Sequence, residues 1–222
     1  MYRESDADWL NAMVTVRPPA GTTLSWVSAF SALVRDARRA TGRNLETGLV
    51  DRDEDTGSWL GALGYLVLLD QIGECFEVPT ERRRPPRGND FLCCLANFSP
   101  QLTHQDMLAL YALRNAFAHS YSLTHTHPKE QRLRHRFLLT SDSSALLITY
   151  PKVLWSGIHA DQRHDNQTQI NLRALGDLAE RIVPDVQAQV KAGTATVKLR
   201  GGLNELRNRF SISLMGGVPS NG

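Results

Sequence analysis

The sequence predicts a mainly α protein, a helical bundle that carries a small β-hairpin insertion near residues 135–158. Two observations predict this fold class. Four long stretches place apolar residues at helical spacing, with capping residues at their ends. The pattern changes after residue 123, where HRFLLT and ALLITY flank a polar turn at residues 141–144 as two strands of a hairpin do. VLWSGI, at residues 153–158, is a candidate third strand.

Length and composition indicate one domain of ordinary size. At 222 residues the chain can bury a core, and we expect a single domain over residues 1–192 with a peripheral tail at 193–222. The net charge of +2 gives no global basic field, so any contact with nucleic acid must come from a local patch. Three cysteines, the absence of a signal-peptide layout and the absence of a membrane-length apolar run predict a cytoplasmic protein.

The first predicted helix covers residues 22–42. Thr22 or Thr23 would cap its start, apolar residues follow at helical spacing, and Gly42 would end it. Arg38 and the neighbouring arginines in its last turns suit the negative end of the helix dipole. We therefore interpret these arginines as structural.

A polar loop separates this helix from a second one over residues 56–76. The loop holds four carboxylates within five residues: Asp51, Asp53, Glu54 and Asp55. This pattern is typical of a solvated loop that caps the next helix, and the alternative is a metal or general-base site. Their spacing favours the loop. The second helix is apolar on nearly all sides, and this predicts a central, buried position.

A basic loop with two prolines follows the central helix. Its four arginines form the strongest local basic patch in the sequence and are candidate ligands of RNA phosphates, although a solvated loop has the same pattern: Arg82, Arg83, Arg84 and Arg87. Asn89 and Asp90 then cap a short helix, FLCCLANF, whose two cysteines we assign to core packing.

The stretch from Thr103 to Leu123 is the one around which the chain is organised. Thr103 and Asp106 have the spacing of a capping box. One face of this helix is predicted to be buried, and Arg114 falls inside it. The apolar residues that form this face are Met107, Leu110, Leu113, Phe117, Ala118 and Tyr121. A guanidinium is always charged, so it must reach solvent, find a carboxylate or face a site where an anion arrives.

Asn115 and His119 follow Arg114 on the same helix. Their i, i+4 spacing lets the Asn115 amide reach the imidazole and select its tautomer. Arg114 and His119 lie roughly 140° apart around the axis and about 7.5 Å apart along it. They converge on one ligand only if the arginine bends round or if a second copy of the helix packs alongside.

The residues from Arg114 to His119, RNAFAH, resemble the signature of the HEPN superfamily: Arg, a polar residue, three residues and His. The resemblance implies a small HEPN-like helical bundle that dimerises. It also implies, for many members, a metal-independent endoribonuclease of toxin–antitoxin, phage-defence or RNA-processing systems, in which the His performs acid/base chemistry and the Arg binds the scissile phosphate. Other members have lost catalysis and serve as binding modules.

The predicted function is therefore a metal-independent endoribonuclease. His119 would accept the proton of the RNA 2'-hydroxyl, Arg114 would stabilise charge on the phosphate, and Asn115 would position them. We predict no cofactor and no metal, an RNA substrate, a homodimer, and an antitoxin or a defence-system protein as partner.

Two other functions are consistent with the same residues. The alternative is a non-catalytic binding or dimerisation module, in which Arg114 pairs with a carboxylate such as Asp106 or one across an interface, and His119 closes a hydrogen-bond network. A nucleotide-binding protein is a third interpretation, but the sequence contains no Gly-rich phosphate loop.

Three histidines after the motif, His125, His127 and His135, have three interpretations. They could be loop residues without a role, ligands of zinc, or a second acid/base group beside His119. No Cys or carboxylate stands at ligand spacing from them, which disfavours zinc. The last long helix is predicted to start at a cap of Asn166 or Thr168 and to end at Gly193.

Overall fold

The computed structural model describes residues 26–79 and 89–213 and shows a mainly α architecture with short strands. In chain order the elements are β1 Trp26–Ser28, α1 Ala29–Ala40, α2 Trp59–Cys75, β2 Phe76–Glu77, α3 Asp90–Phe98, α4 His104–Ser120, β3 Thr124–His125, β4 His135–Thr140, β5 Ile148–Thr149, β6 Thr168–Asn171, α5 Leu172–Lys191, β7 Thr196–Val197, α6 Gly202–Phe210 and β8 Ser211–Ser213. No described helix has both the length and the apolar character needed to cross a membrane.

The helix starts follow local capping chemistry. The side chains of Ser58, Asn89 and Thr103 accept hydrogen bonds from the first turns of α2, α3 and α4, so these three predicted helices are confirmed close to their predicted bounds. The helix expected over 22–42 is shorter. Ser28 caps it, because the preceding residues form β1 instead; Thr22 and Thr23 lie outside the described residues.

Helix α2 occupies the centre of the bundle, as its apolar sequence predicted. Most of its residues are buried, and it packs against α1, α3, α4 and α5. Gly61 lies against Thr41 and Ala37 of α1 so closely that an added Cβ would clash, which explains one glycine in this helix. The core therefore contacts α2 on most sides, and one face of this helix remains exposed to solvent.

The predicted β-hairpin near residues 135–158 is wrong. Strand β6 lies between the two expected strands in a sheet of order β3-β4-β6-β5, parallel to β4 and antiparallel to β5. Ile170 of β6 is fully buried, so the later strand adds apolar contact with the core where it pairs between β4 and β5. Residues 153–158 form no strand.

The last long helix starts later than predicted for the same reason. Residues Thr168–Asn171 are used as β6, and the Asn171 side chain caps α5 by accepting from the Ala174 N–H at 3.1 Å. Gly193 does follow the helix, with a positive φ of 70°.

Residues 193–213 are part of the fold and do not form the peripheral tail that we expected over 193–222, of which the last nine residues lie outside the described part of the chain. Strand β7 pairs with β2, and β8 pairs with β1. Helix α6 places Leu206 and Phe210 in the core, with the Phe210 ring 5.3 Å from that of Phe30. The start and the end of the described chain are therefore joined.

Candidate functional site

Helix α4, the helix of the motif, begins as the sequence predicted. The Thr103 hydroxyl accepts from the Asp106 N–H at 3.1 Å, and the Asp106 carboxylate accepts from the Thr103 N–H at 3.0 Å, so the capping box is complete. The other oxygen of Asp106 accepts from the Tyr150 hydroxyl at 3.0 Å, and this bond and burial raise the pKa of Tyr150. Asp106 is thereby committed to the start of the helix.

The buried face of α4 differs from the predicted one at its C-terminal end. Met107, Leu110, Leu113 and Phe117 are buried as expected, but Ala118 and Tyr121 are exposed. The remaining buried positions are alanines on the other side of the helix, Ala109, Ala112 and Ala116. The buried arc is therefore rotated, and Arg114 lies at its edge rather than inside it.

Arg114 forms an ion pair with Asp70 of α2, through its Nη2 atom. Its Nη1 atom donates to the Asn115 side-chain oxygen at 3.1 Å, while its Nε atom is buried without a hydrogen-bond partner. The Arg114 and Asp70 side chains are 24% and 27% exposed. The alternative function expected a carboxylate partner such as Asp106 or one across an interface; a carboxylate does pair with Arg114, but it is Asp70 and not Asp106. The pair is half-buried and still reaches solvent.

His119 is exposed near the end of α4. The predicted contact from Asn115 is not formed: Asn115 accepts from Arg114 instead, and no hydrogen bond joins it to His119 in the described part of the chain. His119 and Arg114 share one helix but point in different directions, as their spacing predicted. One chain alone does not bring them together.

The other predicted site residues fall in three places. Arg82, Arg83, Arg84 and Arg87 lie outside the described residues. In the acidic loop, Asp53 pairs with Arg173 and Asp55 with Arg52, which supports the structural interpretation. Over residues 26–79 and 89–213 no group of three or more His, Cys, Asp or Glu side chains is placed to hold a metal ion.

The three later histidines surround one short turn, Gln131–Leu133. His125 Nδ1 lies 2.6 Å from the Leu133 carbonyl oxygen, and His127 Nδ1 accepts from the Glu130 N–H at 2.8 Å. His135 is buried between Thr168 and the Arg132 carbonyl, and burial lowers its pKa to about 4. His135 is therefore structural and does not act beside His119.

The sequence analysis missed a buried ionic cluster between α1, α2 and α5. Arg38 forms a bidentate pair with Glu180, at 2.9 Å and 2.6 Å, and donates to the Leu45 carbonyl at 2.8 Å. Glu180 also accepts from the Tyr65 hydroxyl at 2.7 Å; burial and this carboxylate raise the pKa of Tyr65. One sequence feature indicates that Arg38 is buried: it follows Val34 by four residues on the buried stripe of α1. This cluster fixes helices rather than binding a ligand.

The cysteines follow the packing prediction. Cys75 and Cys94 are buried, and burial raises the pKa of both thiols, so neither has the character of a reactive thiolate.

Comparisons of the chain with protein-family models, curated proteins and solved structures found no match.

Proposed function

We propose that this protein is a metal-independent endoribonuclease of the HEPN type, with Arg114, Asn115 and His119 as its catalytic residues. The observation that carries the proposal is that α4 presents an exposed imidazole and, about one and a half turns earlier, a guanidinium that is about one quarter exposed. Both groups are accessible to an RNA strand. The bundle around α4 is consistent with the small helical fold that the RNAFAH motif implies.

The chemistry needs only these side chains. His119 removes the proton of a 2'-hydroxyl, whose oxygen attacks the adjacent phosphorus atom, and Arg114 stabilises the negative charge on the phosphate oxygens. The bond between phosphorus and the 5'-oxygen breaks, that oxygen takes up a proton from water, and His119 afterwards releases the proton it accepted to solvent. The products are a 2',3'-cyclic phosphate and a 5'-hydroxyl.

A second copy of the chain would complete the site. The exposed faces of α2 and α4 beside the Arg114–Asp70 pair carry apolar side chains: Leu60, Leu63, Val67, Ala118 and Tyr121. Leu60 is 66% exposed and Tyr121 is 48% exposed. A two-fold axis over this face would bury them and pack the two copies of α4 alongside one another. We therefore propose a homodimer, acting in the cytoplasm with an antitoxin or defence-system partner.

One observation favours a second candidate, the non-catalytic binding or dimerisation module. Arg114 already has a carboxylate partner, Asp70, within its own chain. A cation that is neutralised in this way is a weaker phosphate ligand, because an incoming anion must compete with the carboxylate. The exposed position of His119 favours the nuclease, since a module needs no imidazole in solvent.

Cleavage assays separate the two candidates. Purified protein is incubated with labelled RNA in EDTA, together with the His119→Ala and Arg114→Ala variants. His104→Ala is the matched control, because His104 is an exposed histidine at the other end of α4. General acid/base catalysis is worth about 10² to 10⁴ in rate, so we expect His119→Ala to lose cleavage by that factor while keeping RNA binding. Equal cleavage by wild type and His119→Ala, or none by either, would refute the nuclease.

A further inference from the structure

We infer that the segment over residues 124–136, here called the basic arm, binds the phosphates of the RNA strand beside the catalytic helix. The inference rests on the proposed function for the identity of the nucleic acid.

The charge of the basic arm differs from that of the rest of the protein. It holds four cationic side chains, Lys129, Arg132, Arg134 and Arg136, and one carboxylate, Glu130. Its excess of three positive charges compares with a net charge of +2 for the whole chain. Lys129 and Arg132 are exposed, and Arg134 and Arg136 are half-buried.

These four cations lack the carboxylate partners that most other arginines in the described part of the chain have. Salt bridges neutralise arginines at many other positions: Arg38, Arg43, Arg52, Arg114, Arg163, Arg173 and Arg209. Within the part of the chain that the structure describes, none of the four side chains of the basic arm forms a salt bridge. Their charge is therefore available to an anion from solution.

The arm is held in place by neutral groups. Arg134 donates to the carbonyls of His127 and Pro128, each at 2.8 Å, and Arg136 donates to the Arg163 carbonyl at 3.0 Å. A carbonyl oxygen accepts a hydrogen bond without cancelling the positive charge. The arm is thus ordered before it binds, which lowers the entropic cost of binding.

The arm also lies close to the proposed catalytic group. Strand β3 starts at Thr124, five residues after His119, and Thr124 pairs with Arg136 across the β3–β4 ladder. Five extended residues span at most about 18 Å, so the Cα atoms of His119 and Thr124 lie within that distance. A strand that contacts the arm can therefore place a neighbouring nucleotide at His119.

The ligand that fits is the phosphate backbone of single-stranded RNA. Exposed lysine and arginine side chains along a segment match a row of phosphates, and their contacts release counterions, so binding weakens as salt rises. Sequence preference is not required of such a surface.

The probe is a labelled oligouridylate, and its affinity is measured at several KCl concentrations. The parent protein carries His119→Ala, so that cleavage does not consume the probe. The test variant adds Lys129→Gln and Arg132→Gln. The control adds Arg35→Gln and Arg181→Gln, two exposed arginines of α1 and α5. Loss of two phosphate contacts should reduce the slope of log affinity against log salt by about 1.4, since each contact to a single strand contributes about 0.7. We expect the control to keep the parent slope.

The outcomes separate this inference from the proposed function. Equal slopes for test and control variants, or no oligouridylate binding by the His119→Ala protein at low salt, would overturn the basic arm as an RNA site. Cleavage by wild type together with such a result leaves the nuclease standing. A reduced slope in the test variant alone supports the arm, even where wild type cleaves no RNA and the nuclease proposal fails. Circular dichroism confirms that each variant is folded.

Discussion

Two arginine–carboxylate pairs connect helices of this bundle, and we expect the loss of their carboxylates to have very different effects. The Arg38–Glu180 pair joins α1 to α5 with side chains that are 6% and 11% exposed. The Arg114–Asp70 pair joins α4 to α2 and is about one quarter exposed. Removing one partner of a buried pair costs about 3–5 kcal/mol because it leaves a charge without solvent. A pair that reaches water contributes about 0.2–1 kcal/mol.

The test compares Glu180→Gln with Asp70→Asn by thermal unfolding. In a domain of this size 1 kcal/mol lowers the melting temperature by about 2–4 °C. Glu180→Gln should therefore lower it by about 6–20 °C, since Arg38 stays buried and the Tyr65 hydroxyl loses a charged acceptor. Asp70→Asn should lower it by about 4 °C at most, because the Arg114 guanidinium can turn towards water.

An equal loss of stability in both variants would refute this reasoning. Arg114 would then be a structural cation that depends on its internal acid, and its assignment as a phosphate ligand would fail with it. A small loss for Asp70→Asn keeps the guanidinium available. In that case the same variant should bind oligouridylate with a steeper salt dependence than its parent, because Asp70 no longer competes with phosphate.

Three further predictions follow from burial. Burial lowers the pKa of His135 from 6.5 to about 4, so the unfolded chain binds this proton first and stability should fall by about 2 kcal/mol between pH 7 and pH 5. Urea unfolding checks this, and His135→Gln should flatten the profile. Leu206→Ala should cost about 2–5 kcal/mol in the same assay, whereas a peripheral tail would tolerate it. Leu60→Glu should convert the proposed homodimer to a folded monomer in analytical ultracentrifugation; an unchanged mass would exclude the proposed interface.

The features that the sequence predicted well depend on neighbours in the chain. The capping box of Thr103 and Asp106, the stop at Gly42 and the central position of α2 are all encoded within one or two helical turns. The spread of Arg114 and His119 around α4 was predictable for the same reason, because helical geometry alone fixes it.

The features that the sequence analysis missed depend on distant segments. HRFLLT and ALLITY are separated by a short polar turn, so local closure favours a hairpin; the competing strand, with Ile170, lies some distance further along the chain. The roles of Asp70 and Glu180 as partners of arginines were equally unpredictable from the sequence. Asp70 is one of two carboxylates in α2 and Glu180 is one of three in α5, and only the packing of helices decides which arginine each one meets.

The Asp70 pair and the proposed catalytic role of Arg114 are compatible if the site forms between two copies. In one chain Asp70 reduces the cost of holding a half-buried guanidinium. A second copy seated over Leu60 and Tyr121 would remove more water from that pair, which strengthens the attraction of Arg114 for any anion that enters. Asn115 contacts only the Nη1 atom, so its neutral amide is the group that a phosphate displaces most easily. Asp70 then keeps the guanidinium in position, and the phosphate binds the Nη1 edge against the competing negative charge of Asp70.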